Sequence, residues 1–375
     1  MGSCPTQDNA PQRIEYLHND SVTTTALGKE HRIEPLAFEA MPTKKTEDRM
    51  NMLTDPHGRS FSYLRLSITD ICNYRCQYCL PDGYQKIGKP QFMSADEIEN
   101  LVTGLAGLGL WKVRLTGGEP TVRKDFAEIA ARVSSVPGIR RVATTTNGYR
   151  LAENAQLWRN AGISAINISI DSLNRQRFAE ITGHDHLPRV LDGVKAAQDA
   201  GFEKIKINTV LLRGVNDHEL DDFLGWIQNQ DISIRFIELM ETGTNKEYFN
   251  RHHIRGQEIH DRLATAGWSE LPREEGAGPA QVFRHSAYRG EIGIIAPYSK
   301  DFCNTCNRLR VTATGNLRLC LFGNGGHNLR HLLQHRDQRA ELQDTIAGLL
   351  VQKAPTHLLH FHQTGATPHL AALGG

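Results

Sequence analysis

Residues 64–79 read LRLSITDICNYRCQYC. The first half, LRLSITDI (64–71), is β-rich and alternates apolar with polar positions, which predicts a strand. The second half, Cys72-Asn-Tyr-Arg-Cys76-Gln-Tyr-Cys79, puts three thiols in a C-x3-C-x2-C loop directly after that strand. Thiolates are the preferred ligands of iron–sulfur clusters. Three on one loop can hold three irons of a cubane and leave the fourth open to an outside ligand. Zinc is the alternative, but structural zinc sites take four protein ligands and this loop supplies three. A histidine from elsewhere would have to complete such a site.

Downstream the strand becomes the first beat of a rhythm. KVRLTG (112–117), RRVATTTN (140–147), SAINISID (164–171), KIKINTVLL (204–212) and SIRFIELM (233–240) are further β-rich runs, separated by amphipathic helical stretches. The stretch 94–109 opens with Ser94 and, three residues on, Glu97, a capping box. Gly162 and Gly201 fall where helices should stop. Six strand–helix repeats predict an α/β fold, a parallel sheet curled into a partial (β/α)6 TIM-type barrel. In such barrels the chemistry gathers at the C-terminal ends of the strands. Gly104, Gly107 and Gly109 do not directly follow a strand, so a dinucleotide loop is rejected.

On the other side of the strand, residues 1–55 are polar and lack steady periodicity, which predicts a loose extension. The barrel is expected over 56–245. Past 245 the rhythm gives way to Gly/Pro punctuation and short strands, predicting a smaller α+β domain over 246–375 that covers the barrel mouth. The 375 residues carry 43 Lys plus Arg against 42 Asp plus Glu. That balance offers no global field for nucleic acid or an anionic membrane, so anion recognition would need a local basic group. Neither a run long enough to span a membrane nor a secretory signal is present. The seven cysteines fall into two groups of three plus Cys4. An odd count at tight spacing argues for metal ligation in a reducing compartment, with the cytoplasm expected, rather than for disulfides.

The strand ends carry the remaining motifs. Thr116-Gly117-Gly118-Glu119-Pro120 follows the second run; two glycines let backbone approach a ligand and expose amides. Thr144-Thr145-Thr146-Asn147-Gly148 ends the third. Asn167, Ser169 and Asp171 share one face of the fourth, and Lys204, Lys206 and Asn208 one face of the fifth. Inward polar residues on parallel strands are unusual; a hydrogen-bonded core network is the structural alternative. Met240 ends the sixth run and by itself would be core filler. His357, His360 and His362 are expected on a partly exposed helix face.

The second cysteine group, Cys303, Cys306 and Cys320, is spaced C-x2-C-x13-C. Again three thiols appear where a zinc ribbon offers four ligands. Between them lie Arg308 and Arg310, two apart and so on one face if extended. Paired arginines suit bidentate recognition of phosphate or a purine edge; without the cysteines a solvated charged strand would be the simpler reading.

The C-x3-C-x2-C loop followed by GGEP resembles the radical SAM superfamily, which cleaves S-adenosylmethionine (SAM). Together with TTNGYRL, ISIDSL, RFIELMETG, FC-x2-CNRLR and R-x-CLF, the chain from about residue 60 onward is similar to the GTP 3′,8-cyclase family of molybdenum cofactor biosynthesis. The resemblance implies two [4Fe–4S] clusters, one on each cysteine group, and SAM bound at the first by its amino and carboxylate groups. It implies a 5′-deoxyadenosyl radical that takes the 3′-hydrogen of GTP, after which C3′ bonds to C8 of guanine. SAM would be held by Tyr78, Gly118, Ser169 and Met240. GTP would meet Arg65, Arg114, Thr145, Lys206, Arg308 and Arg310, with guanine on the open iron of the second cluster. A flavodoxin- or ferredoxin-like electron donor and a downstream cyclic pyranopterin monophosphate synthase follow as partners; monomer and homodimer stay open. The terminal Gly374-Gly375 is like that family's double-glycine tail, which reaches into the active site. A peptide-modifying radical SAM enzyme is the nearest rival, but such enzymes usually carry more C-terminal cysteines. A non-catalytic zinc protein is the rival from another class.

Overall fold

The computed structural model describes residues 52–86, 88, 91–367 and 369–373. They fall within one compact unit, Thr43–Gly375. Cys4, Gly374-Gly375 and all but residues 52–55 of the expected N-terminal extension lie outside the described residues.

Six parallel strands stand side by side in chain order: β1 (Tyr63–Ser67), β2 (Lys112–Thr116), β3 (Arg141–Thr146), β4 (Ile163–Ser169), β5 (Lys204–Leu211) and β6 (Ser233–Glu238). Helices α1 (Ala95–Gly107), α2 (Phe126–Ser134), α3 (Leu151–Asn160), α4 (Arg175–Thr182), α5 (Leu187–Asp199) and α6 (Leu220–Ile227) make the crossovers. Alternation along each strand gives the sheet its two faces. Leu64, Leu66, Val113, Leu115, Ile166, Ile168, Ile207 and Ile234 are fully buried in the main core. Each such side chain contributes about 1.5–3 kcal/mol on leaving water. The intervening Arg65, Arg114, Asn167, Lys206 and Arg235 line a cavity on the other face.

The later part of the chain continues this same sheet. β9 (Glu291–Ile295) pairs parallel with β6 and carries β8 (Gln281–Arg284) and β7 (Ser269–Glu270) antiparallel beyond it. β10 (Arg308–Val311) pairs parallel with β1 and carries β11 (Asn316–Arg318) and β12 (His327–Asn328). The sheet therefore has twelve strands. Both edges of the six-strand set are taken, so β1 and β6 never pair and the barrel stays partial. Helices α7 (Lys246–His252), α8 (Gly256–Thr265) and α9 (Arg339–Leu350) complete the described helices.

The capping box of α1 forms as expected: Ser94 Oγ accepts from the Glu97 amide at 3.1 Å, and Glu97 Oε2 accepts from the Ser94 amide at 2.8 Å. Gly162 and Gly201 follow helix ends with φ of +90° and +72°. Gly104 serves helix packing: a Cβ there would lie 2.6 Å from Leu342 Cδ2 of α9. The first strand is shorter than its sequence suggests. It ends at Ser67, because Thr69 Oγ1 accepts from the Ile71 amide at 3.1 Å and turns the chain into the cysteine loop.

Candidate active site

The cysteine loop leaves β1 at its C-terminal end and is pinned by the loop after β2. The Gly118 amide donates to Thr69 O at 2.9 Å and the Glu119 amide to Ile71 O at 2.8 Å. A Cβ on Gly118 would sit 2.5 Å from Ile71 O, so glycine is required for this contact. This corrects the expectation of exposed amides at Gly118, whose N–H is already committed. An incoming ammonium, itself a donor, would need a carbonyl oxygen instead. Glu119 is buried and accepts from Thr121 Oγ1 (2.6 Å), Thr146 Oγ1 (2.7 Å) and the Asn147 amide (2.6 Å), tying the ends of β2 and β3 together. Tyr78 donates its hydroxyl to Asp171 Oδ2 at 2.9 Å. Ser169 is the last residue of β4. Burial pushes the Cys72 thiol up to about 12, and nearby Glu119 adds to it. Cys79 is likewise raised to about 12 by burial and by its neighbour Cys72. These thiols are poised to ionise only against a strong positive charge, which bound iron provides.

A cavity of about 450 Å³ runs along the inner face of the barrel. That is room for a small-molecule ligand. Among the described residues, eleven lysines and arginines line it against five acids. A chain of nearly balanced net charge thus concentrates a strong positive field in one place. The register explains how. Arg308, Tyr63, Lys112 and Arg141 form one row across β10, β1, β2 and β3; Arg310, Arg65 and Arg114 form the next row. Burial, then Arg235 and Arg114, bring the Lys206 ammonium down to about 6. Burial, with repulsion from Arg114, Arg141 and Arg235 outweighing attraction to Tyr63, brings Lys112 down to about 8. Arg310 Nη1, Arg235 Nε and Asn167 Oδ1 are buried with no partner among the described residues. Orphaned buried donors and acceptors facing a cavity call for a polar, anionic ligand.

Cys303, Cys306 and Cys320 line the same cavity, beside Arg308 and Arg310. Their environment is opposite to that of the first group. Burial raises the Cys303 thiol, but hydrogen bonds from His357 and Thr356 outweigh it and hold the thiol at about 6. Arg308 and Lys353 more than offset burial at Cys306 and pull it below the usual thiol range. All six described cysteines are free thiols. Two sets of three thiols, one under a carboxylate-rich loop and one among cations, fit cluster ligation by donor chemistry.

The structure sorts the expected residues. Arg65, Arg114, Lys206, Arg308, Arg310 and Met240 line the cavity. Thr145 is not among its lining residues; it accepts from Arg114 Nη1 at 3.2 Å and so orients that guanidinium. Met240 packs against the same small apolar cluster, Leu321, Phe322, Leu359 and Leu370, as Cys79 and Cys320. The cations do not stand at the strand ends beside the first cysteines. Tyr63, Lys112, Arg141, Lys204 and Ser233, the first residues of five strands, also line the cavity, which therefore reaches towards the N-terminal end of the barrel. Sequence reasoning missed Tyr63, Lys112, Arg141, Arg235, Arg273 and Lys353. A signal was present for three of them. Tyr63/Arg65, Lys112/Arg114 and the Ser233/Arg235 pair each repeat at a spacing of two, like Lys204/Lys206, and so share a face. His357, His360 and His362 are not a helix face. His360 lies within a short 3-10 turn, Leu359–Phe361, with His357 before it and His362 at its end. His357 is buried and stacks on His360 with ring centroids 5.5 Å apart, and His362 Nδ1 meets Glu241 Oε2 at 2.6 Å.

Comparison with known proteins agrees with this architecture. The radical SAM superfamily matches residues 66–227, and the family described as Molybdenum Cofactor Synthesis C matches 232–359. A GTP 3′,8-cyclase of Stenotrophomonas maltophilia is 56% identical over 326 residues, covering 87% of this chain and all of that one. A GTP 3′,8-cyclase of Klebsiella pneumoniae is 54% identical over 327 residues, covering 87% of this chain and 99% of that one. Among solved structures, SuiB of Streptococcus suis bound to S-adenosylmethionine superposes with a TM-score of 0.56 at 14% identity, covering 83% of this chain and 76% of that one, which is a likeness of fold. No helix among the described residues is long and apolar enough to cross a membrane. With its cysteine loop, partial barrel and match over most of its length, the chain belongs to the GTP 3′,8-cyclase family of the radical SAM superfamily.

Proposed function

We propose that this chain converts GTP to 3′,8-cyclo-7,8-dihydroguanosine 5′-triphosphate, with Cys72, Cys76 and Cys79 holding one [4Fe–4S] cluster and Cys303, Cys306 and Cys320 a second. The observation that carries the substrate reading is the cavity in which a second triad of cysteines sits beside a cluster of buried cations. When bound, the first cluster supplies the electron for reductive cleavage of SAM. The chain's own groups do the rest of the positioning. Tyr78, fixed by Asp171, together with Gly118, Ser169 and Met240, would hold SAM at the C-terminal ends of the strands. Arg65, Arg114 and Lys206 would take the triphosphate, where buried charges act strongly because water is excluded. Arg308 and Arg310 flank the second triad and would set the guanine end. Met240 shares an apolar cluster with Cys79 and Cys320, one cysteine from each group. Holding C3′ and C8 of one GTP molecule at reacting distance selects the conformer from which the ring closes. An external flavodoxin- or ferredoxin-like donor would deliver the electrons.

The test is anaerobic incubation of reconstituted protein with SAM, reductant and GTP, read by mass spectrometry. The expected result is deoxyadenosine together with a GTP-derived product of unchanged mass and altered retention. Deoxyadenosine with GTP untouched would remove the substrate assignment and leave the radical SAM chemistry standing.

A further inference from the structure

Tyr63 stands in the middle of the basic cavity. It occupies β1 in register with Arg308 on one side and Lys112 on the other. Its hydroxyl oxygen accepts from Arg114 Nε at 2.6 Å, and the Arg65 guanidinium also hydrogen-bonds to it. The Lys112 ammonium lies 4.6 Å above its ring. The ring is 3% exposed. Two guanidinium groups, of Arg114 and Arg65, direct N–H bonds at the phenol oxygen. A phenol in that position is better satisfied as an anion, because an acceptor-only oxygen matches two charged donors.

We propose that Tyr63 is the proton-accepting member of the nucleotide cavity: it balances the cations as a phenolate before GTP binds and takes up a proton as the triphosphate enters. The inference rests on the substrate reading given above. The entering phosphates supply the negative charge that the phenolate had supplied, and two like charges against the same guanidinium groups repel. Protonation from solvent removes that repulsion and turns the hydroxyl into a donor to a phosphate oxygen. The surrounding field supports this. Burial alone would push the phenol up, but Arg114, Arg65 and Lys112 outweigh it and leave it at about 7. The cavity is also faced by Arg141, Lys204, Lys206 and Arg235 from the barrel strands, by Arg308 and Arg310 of β10, by Arg273 and Lys353, and by the acids Glu270, Glu274, Glu275, Glu291 and Asp301. Lys206 and Lys112 are the competing proton acceptors, since both are driven towards their neutral forms.

The sign follows from linkage. Above pH 7 binding must import the proton, so Tyr63 makes GTP affinity fall as pH rises, by up to about tenfold per pH unit. Below pH 7 its share disappears. The experiment is isothermal titration of anaerobic, cluster-loaded protein with GTP, without SAM, at pH 8 in two buffers of different ionisation heat. Wild type should take up about one proton more per GTP than Tyr63→Phe, and the variant's affinity should depend less on pH. Lys206→Met should keep the Tyr63 share. Equal uptake in wild type and Tyr63→Phe would overturn the proposal and assign the proton to a lysine, Lys206 or Lys112. If Tyr63→Phe no longer binds GTP, the wild type decides by resonance Raman: loss of one tyrosinate signal on adding GTP is expected, and an unchanged signal overturns the proposal. No GTP binding to wild type would overturn the substrate reading first, and this inference with it.

Discussion

Glu97 Oε1 lies 2.7 Å from Arg330 Nε, and Glu97 Oε2 lies 3.0 Å from Arg330 Nη2. The residue that closes the capping box of α1 thus also fastens the region between β12 and α9 to the barrel. Gln334 adds a bond to Glu97 Oε1 at 2.9 Å. Burial works against the ionised carboxyl, but Arg330, Gln334 and the Ser94 amide outweigh it and hold Glu97 at about 2.

That depression makes the contribution pH-dependent. The folded carboxyl ionises at lower pH than the unfolded one, so its stabilisation is complete above the ordinary glutamate range and is lost as pH falls towards 2. Arg330 is partly exposed, which screens the pair. Glu97→Gln should therefore cost about 2 kcal/mol at pH 7 and less at pH 3. Urea midpoints of wild type and variant at the two pH values check this; a gap that does not narrow on acidification would show that charge is not the cause.

Asp171 accepts from the Tyr78 hydroxyl and from the Val210 amide at 2.8 Å. Asp171→Ala frees the Tyr78 ring and orphans a backbone donor. SAM affinity should fall about tenfold, and stability by about 1–3 kcal/mol. Iron content should hold, because no cysteine is touched. Equilibrium SAM binding alongside iron analysis measures both; full SAM affinity in the variant would show that Tyr78 needs no anchor.

Arg308→Ala and Arg310→Ala each remove a half-buried fork of donors from the second triad's end of the cavity. GTP binding should weaken by about ten- to a hundredfold in either variant. Deoxyadenosine formation from SAM should persist, since the first cysteine loop is left intact. Unchanged GTP kinetics would remove these arginines from the site.

Cys303 and His357 give a metal test. Wild type should hold about eight irons per chain, Cys303→Ser about four, and neither should hold stoichiometric zinc. In metal-stripped protein at pH 7, Cys303 should alkylate readily because its thiol is held at about 6. His357→Gln should slow that reaction about tenfold, as the thiolate fraction drops. Zinc in place of iron would return the second triad to a structural site, with His357 as the obvious fourth ligand.

Much of this protein follows from the linear sequence. The six-beat rhythm determined the strands, and the period of two along LRLS, KVRLT and KIKIN determined which residues face inward. Hydrophobic alternation is a local property, so it survives without a structure. The cysteine spacings were legible for the same reason: ligands on one short loop meet wherever the fold puts them. What needed tertiary structure was everything set by register between strands far apart in sequence. That β10 lies beside β1, placing Arg308 next to Tyr63 and Arg310 next to Arg65, is decided by sheet pairing across some 245 residues. His357 reaches Cys303 only after the chain has passed through α9. That Gly118 must lack a Cβ because it packs on Ile71 O of the cysteine loop was likewise invisible in the sequence. Glu97 shows the division in one side chain. Its capping role spans three residues and was read directly, while its ion pair spans 233 residues and depends on which surfaces the folded core brings together.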